Sequence, residues 1–229
     1  MTMNSKEAIL HKIRSSLKVP SNDTVREASV AARLADHPTG IIPARGQLPP
    51  EERLALFVSM AEKYSATTER IETLDALPAA VSDYLKRRNL PATIRIGADP
   101  RLAAAPWSSE ATLEIRHGAS DGHDLATVSH AFGAFAETGT LALLSGPDNP
   151  VTLTFLPEHH IVVLRADEIS GDMESVWARF RSVRGGDMSR TVNFVTGPSR
   201  SADIEQTLLL GAHGPRALHI VIVGRAAVN

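Results

Sequence analysis

The sequence predicts an α/β protein of three layers, a mainly parallel sheet flanked by helices. Strand-like and helix-like stretches alternate from residue 51 onward, the pattern that a parallel sheet with helical crossovers requires. Short β-branched runs such as His160-Ile161-Val162-Val163-Leu164-Arg165 read as strands covered on both faces. At 229 residues the chain can bury a sizeable core without staples, so one main domain is expected.

The elements follow in order. Ile9, Leu10, Ile13 and Leu17 fall on one face of a helix over 5–17, with Ser5 as its cap, and a second short helix covers 25–35. HPTGIIPARGQLPP, residues 37–50, is rich in Pro and Gly and reads as a linker or an extended arm, with Ile41 and Ile42 able to pack on this subunit or another. Residues 1–50 therefore form an N-terminal helical extension and residues 51–229 the α/β domain. Pro49-Pro50 preset the first turn of a helix over 51–64, whose apolar stripe is Leu54, Phe57, Val58 and Ala61. A strand at 66–72, a helix at 77–87 and a strand at 92–96 follow. Short strands are predicted at 112–116 and 125–128, then a helical turn over 130–136 and a buried strand over 140–144. A helix over 173–184 carries Val176, Trp177 and Phe180 inward, and its last turns are basic. The chain closes with a strand at 191–196, a helix through Ile204, Leu208 and Leu209, and a strand at 217–223.

Composition excludes several classes. With 24 basic and 26 acidic residues and no block of like charge, nothing predicts a nucleic-acid or anionic-membrane surface. The absence of cysteine rules out disulfides, a thiolate nucleophile, thiolate zinc sites and any cluster held by this chain's own Cys ligands. No signal-peptide pattern opens the sequence and no run approaches the ~20 apolar residues of a membrane span, so the reading is a soluble, cytoplasmic protein. Dinucleotide, P-loop, metalloprotease and nucleophile-elbow motifs are missing. Ser15-Ser16-Leu17-Lys18 matches S-x-x-K without its companion motifs, and is read as helix surface.

Chemistry concentrates in two stretches. Glu137-Thr138-Gly139 joins an acid to the start of the 140–144 strand, where a carboxylate either acts as base, nucleophile or ligand, or caps a backbone turn. In GPSRSADIE, Ser199, Ser201 and Asp203 offer cap oxygens to the predicted helix, whose N-terminus is either an ordinary cap or a site for a carboxylate or phosphate. Arg200 can pair with a substrate carboxylate, and His213 sits in the turn before the last strand. His159 and His160 open a strand, so they point to opposite faces and do not share a metal, while His123 and His130 lack partners at ligand spacing.

Ala136-Glu137-Thr138-Gly139-Thr140, Leu156-Pro157 before His160-Ile161, the 197–205 stretch, Gly211-Ala212-His213-Gly214-Pro215 and Leu218-His219 together resemble the LUD-domain family, in its lactate-utilisation branch. The likeness runs from about residue 51 to the end. It implies the fold shared by ribose-5-phosphate isomerase and CoA transferases, and a cytoplasmic role in oxidising L-lactate to pyruvate beside two companion proteins that carry iron–sulfur clusters. No cofactor is expected on this chain itself. In CoA transferases a glutamate followed by a residue and a glycine is the nucleophile, and Glu137-Thr138-Gly139 is similar at the level of fold analogy. The resulting expectation is a cluster-free subunit whose Glu137, Thr138, Gly139, Ser199, Arg200, Ser201, Asp203 and His213 form a small-carboxylate pocket, with Glu137 catalytic and no metal. The alternatives are a non-catalytic assembly or regulatory module, and a free-standing enzyme on a phosphosugar or acyl-CoA.

Overall fold

The computed structural model describes residues 4–20, 22–185, 187–202, 208–211 and 213–226. The chain divides into two units, Met1–Ile41 and Ile42–Asn229. The first contains α1 (Ser5–Leu17) and α2 (Thr24–Asp36). Their caps are Asn4, which accepts from Lys6 N–H at 2.8 Å, and Asp23, which accepts from Arg26 N–H at 3.0 Å. The cap of α1 is thus one residue earlier than Ser5. Neither helix has a buried residue, so their apolar stripes are uncovered.

The second unit opens with α3 (Pro50–Lys63), β1 (Thr67–Ile71), α4 (Leu77–Arg87), β2 (Thr93–Ile96), α5 (Pro100–Ala103), β3 (Glu114–His117) and β4 (Ala126–His130). It continues through β5 (Gly133–Phe135), β6 (Thr140–Leu144), α6 (Thr152–Phe155), β7 (His159–Arg165), β8 (Ile169–Ser170) and α7 (Met173–Arg184). The last elements are β9 (Val192–Val195), β10 (Arg200–Ala202), β11 (Leu208–Leu210) and β12 (Ala217–Val223). Residues 42–50 pack with this unit: Gly46 lies against Gly171, and Gln47 donates to Asp172 at 2.8 Å.

Six strands form a parallel sheet in the order β1-β12-β7-β4-β2-β3. The central strands β7 and β12 bury both faces, as their β-branched runs require. On one face Val128, Ile161 and Val163 pack on Val81 and Leu85 of α4. On the other, Val162, Leu164, Ile220 and Ile222 meet Leu54 and Phe57 of α3 and Leu141 and Leu143 of β6. Each such side chain contributes about 1.5–3 kcal/mol on burial. The three-layer α/β class is the one the sequence predicts, with an addition: a second sheet, β8-β5-β6-β9, shares the layer of α3 and carries α7 on its far side through Phe132, Phe135, Val176 and Phe180.

Two predicted helical segments are strands. Residues 130–136 are not a helical turn. Gly133, Ala134 and Phe135 pair with Ala142, Leu141 and Thr140 as a hairpin, and the small residues allow this ribbon to lie buried against the main sheet. The helix predicted through Leu208 and Leu209 is replaced where its ends are described. Arg200, Ser201 and Ala202 pair with Leu210, Leu209 and Leu208 in an antiparallel ladder. Three consecutive leucines suit a strand as well as a helix, and the cross-strand hydrogen bonds decide between them. Among the described residues, no helix is long and apolar enough to cross a membrane.

Candidate functional site

The two stretches singled out in the sequence have different fates. Glu137 lies in the turn between β5 and β6, 7 % exposed. Its N–H donates to Gly171 O at 3.1 Å, and its Oε1 accepts from Met173 N–H, the first residue of α7, at 3.1 Å. The carboxylate therefore faces a helix start, which the dipole favours. Asp172 serves the same helix end, accepting from Ser175 N–H at 2.8 Å. Burial pushes the Asp172 carboxyl up, but hydrogen bonds from Ser175 and Gln47 outweigh it and hold it below the usual carboxylate range.

Thr138 and Gly139 complete that turn. The Thr138, Thr140 and Thr196 hydroxyls form a chain with spacings of 2.6 and 2.7 Å, tying the β5–β6 turn to the end of β9. Gly139 has φ +65°, and a Cβ there would stand 2.6 Å from the Met60 carbonyl carbon of α3. Glycine is required on both counts.

Ser199, Arg200 and His213 come together elsewhere. With Thr154, Phe155 and His160 they line a pocket of about 270 Å³ beside the amino-terminal starts of β7 and β12. Glu137, Thr138 and Gly139 are not among its walls. Ser199 N–H donates to Pro215 O at 2.8 Å and Ser199 O accepts from Gly211 N–H at 3.1 Å, so its backbone is consumed by the turn pairing, while residues 203–207 of the predicted helix start lie outside the described residues. What faces the pocket is side-chain chemistry. Ser201 takes its backbone place in β10, and Asp203 lies outside the described residues. The Arg200 guanidinium hydrogen-bonds the Ser65 hydroxyl.

His160, outside the predicted carboxylate pocket, also lines this one. Alternation along β7 sends His159 to Tyr84 of α4, with Nδ1 2.9 Å from the phenol oxygen, and His160 to the opposite face. There its Nε2 lies 2.6 Å from Ser129 Oγ of β4, and its buried Nδ1 has no partner. Burial pushes its pKa down to about 3, so the ring is neutral at neutral pH. With Nε2 engaged, Nδ1 is the nitrogen left for a ligand, as donor if Ser129 donates to Nε2 and as acceptor if Ser129 accepts. An unpaired buried polar atom costs roughly 1–3 kcal/mol, which a ligand that bonds it recovers. Only tertiary structure shows which nitrogen Ser129 engages, although the His160-Ile161-Val162 run marked the strand. Among the described residues, no three of His, Asp and Glu converge as metal ligands.

A parallel six-stranded sheet between helical layers defines a three-layer α/β protein. The chain belongs to the LUD domain family, whose model matches residues 54–223. It is similar to the lactate utilization protein C of Geobacillus sp. WCH70, 39 % identical over 93 residues, covering 39 % of each chain. The lactate utilization protein C of Exiguobacterium sp. AT1b is 34 % identical over 122 residues, 51 % of each chain. These matches span between about two-fifths and a half of the curated relatives. A crystal structure of a DUF162 family protein from Deinococcus radiodurans superposes with a TM-score of 0.59 at 26 % identity, covering 77 % of this chain and 99 % of that one.

Proposed function

We propose that this protein is a cluster-free subunit of a cytoplasmic lactate-utilisation system that oxidises L-lactate to pyruvate, and that its His160–Ser199–Arg200 pocket binds the small hydroxy acid. The relatives named for lactate utilisation support the process. The observation that carries the site is the partnerless Nδ1 of His160 in a pocket that also holds a hydroxyl and a guanidinium.

A 2-hydroxy acid presents a carboxylate beside a hydroxyl. In this reading Arg200 and Ser199 take the carboxylate by charge-assisted and neutral hydrogen bonds, His160 Nδ1 takes the adjacent hydroxyl, and His213 closes the rim. Neutral imidazole suits that hydroxyl, because it neither repels Arg200 nor competes for the carboxylate. Glu137 acts as a cap of α7 rather than at the reacting carbon. With no cysteine, the chain offers no thiolate to an iron–sulfur cluster, and two companion proteins would carry the clusters and accept the electrons.

The test is gentle purification from lactate-grown cells, followed by iron–sulfur absorbance and lactate-dependent dye reduction. Co-purifying clusters and activity are expected, with Arg200→Ala lowering lactate affinity about 10- to 100-fold. A colourless, inactive protein from cells expressing the companions, or an Arg200→Ala protein with unchanged lactate affinity, would sink this reading.

A second reading, an assembly module, is favoured by the N-terminal unit, where Ile9, Ile13 and Leu17 on α1 and Val25, Val30 and Leu34 on α2 are exposed. Large apolar side chains at helical spacing suit docking of a partner. Deleting Met1–Ile41 then abolishes co-purification while lactate affinity stays unchanged.

A further inference from the structure

At the other, carboxyl edge of the parallel sheet lies a larger cleft, of about 650 Å³, whose walls include His130 but none of the residues of the predicted carboxylate pocket. Its place follows from topology. The connection leaving β2 goes outward to β3, whereas β4 is followed in this sheet by β7 on the opposite side. The carboxyl ends of β2 and β4 therefore flank a switch point, the crevice in which open α/β sheets bind ligands.

The cleft walls carry both cationic and apolar side chains. Arg101 follows β2 on α5, and Arg184 and Arg190 come from the end of α7 and the approach to β9. Arg101 is oriented by the buried Asp99 carboxylate, with Nη2–Oδ2 of 2.6 Å and Nε–Oδ1 of 3.0 Å. Arg184 Nε donates to Asp187 O at 3.3 Å. Asp148 lines the cleft from the β6–α6 connection, and Asp99 and Glu168 also act on Arg101, so the positive charge left for a ligand is that of Arg184 and Arg190. His130, 3 % exposed at the end of β4, uses Nδ1 on Ala131 O at 2.6 Å.

An independent feature points to a ligand. Ser189 is only 8 % exposed, lines the cleft, and its buried hydroxyl has no hydrogen-bond partner. A hydroxyl without a partner in a cleft also lined by three arginines matches an anion with several acceptor oxygens. Phe132, Leu144 and Val151 offer an apolar wall next to it, so the anion carries an organic group.

We infer that this cleft is a second binding site, for a phosphate monoester, with the phosphate held by Arg184, Arg190 and Ser189 and the organic part against Phe132, Leu144 and Val151. Arg101 is already committed to Asp99 and supplies field rather than a free fork. The site stands apart from the lactate pocket, so either can fail alone.

The experiment is calorimetric titration of the full chain with glycerol 3-phosphate, AMP and inorganic phosphate, with sulfate as the anion control. At least one ester binds more tightly than sulfate, and Arg184→Ala/Arg190→Ala weakens it about tenfold or more, while Ser189→Ala weakens it severalfold. Both arginines are exposed, so the double variant keeps its melting temperature. Ser199→Ala, in the other pocket, leaves ester binding unchanged. The assignment is overturned if neither ester binds, if sulfate matches them, or if the folded double variant retains wild-type affinity.

Discussion

The turn holding Glu137 and the pocket holding His160 are both made of buried polar groups close to strand ends, yet they differ in how their hydrogen bonds close. Glu137 is engaged from both ends, through its N–H to Gly171 and its carboxylate to Met173. Thr138 passes its hydroxyl bond to Thr140 and then to Thr196. His160 bonds Ser129 with one nitrogen and leaves the other unpaired. A carboxylate oxygen held by a helix N–H stabilises that helix end, whereas an unpaired nitrogen in a buried ring is where a hydrogen-bonding ligand lowers the free energy. Residue type selected both places; what separates them is that Glu137 binds a helix end while His160 keeps a buried nitrogen unpaired.

The largest effect expected on that contrast comes from pH. His130, His160 and His219 have pKa values pushed down to about 4, 3 and 4, each first by burial. The unfolded chain takes up their protons near pH 6.5 and the folded chain does not, so their stabilisation is complete above pH 6.5 and is lost as pH falls toward 4. Between pH 6.5 and 5 each costs about 2 kcal/mol. Urea unfolding at pH 7 and pH 5 measures the sum, and His160→Gln removes the share belonging to the pocket. Equal stability at the two values would show that the three rings are not buried as neutral groups.

A smaller loss tests the closed side. Gly139→Ala places a Cβ against the Met60 carbonyl carbon in a left-handed backbone. It is expected to cost about 3 kcal/mol. Circular dichroism melting reads it as a fall of roughly 6–12 °C. A variant that melts with the wild type would mean that α3 and the turn do not press together as described.

The smallest effect divides the two regions most directly. Glu137→Ala removes the acceptor of Met173 N–H and should cost about 1–2 kcal/mol of stability while lactate affinity is retained. Ser199→Ala is expected to do the reverse, leaving melting unchanged and weakening lactate about fivefold. Paired melting and binding measurements on these variants break the comparison if Glu137→Ala, still folded, loses lactate.

Local pattern was enough for much of this molecule. The 3.6-residue periods of α1, α3, α4 and α7, the apolar runs of β6 and β7, the closing strand β12 and the alternation that makes a parallel sheet are all written in residues close together in the chain. So was the opposite facing of His159 and His160; Ser199, Arg200 and His213 do share a pocket, but without the Glu137 expected beside them. Tertiary structure alone decided what long-range hydrogen bonds and burial control. Leu208-Leu209-Leu210 became a strand because Arg200-Ser201-Ala202 pairs with it. The 130–136 segment became β5 because β6 pairs with it. Glu137 met α7 thirty-six residues later, and His160 was left with one nitrogen unpaired. A sequence lists donors and acceptors, but only the folded chain determines which of them are already satisfied and which remain for a ligand.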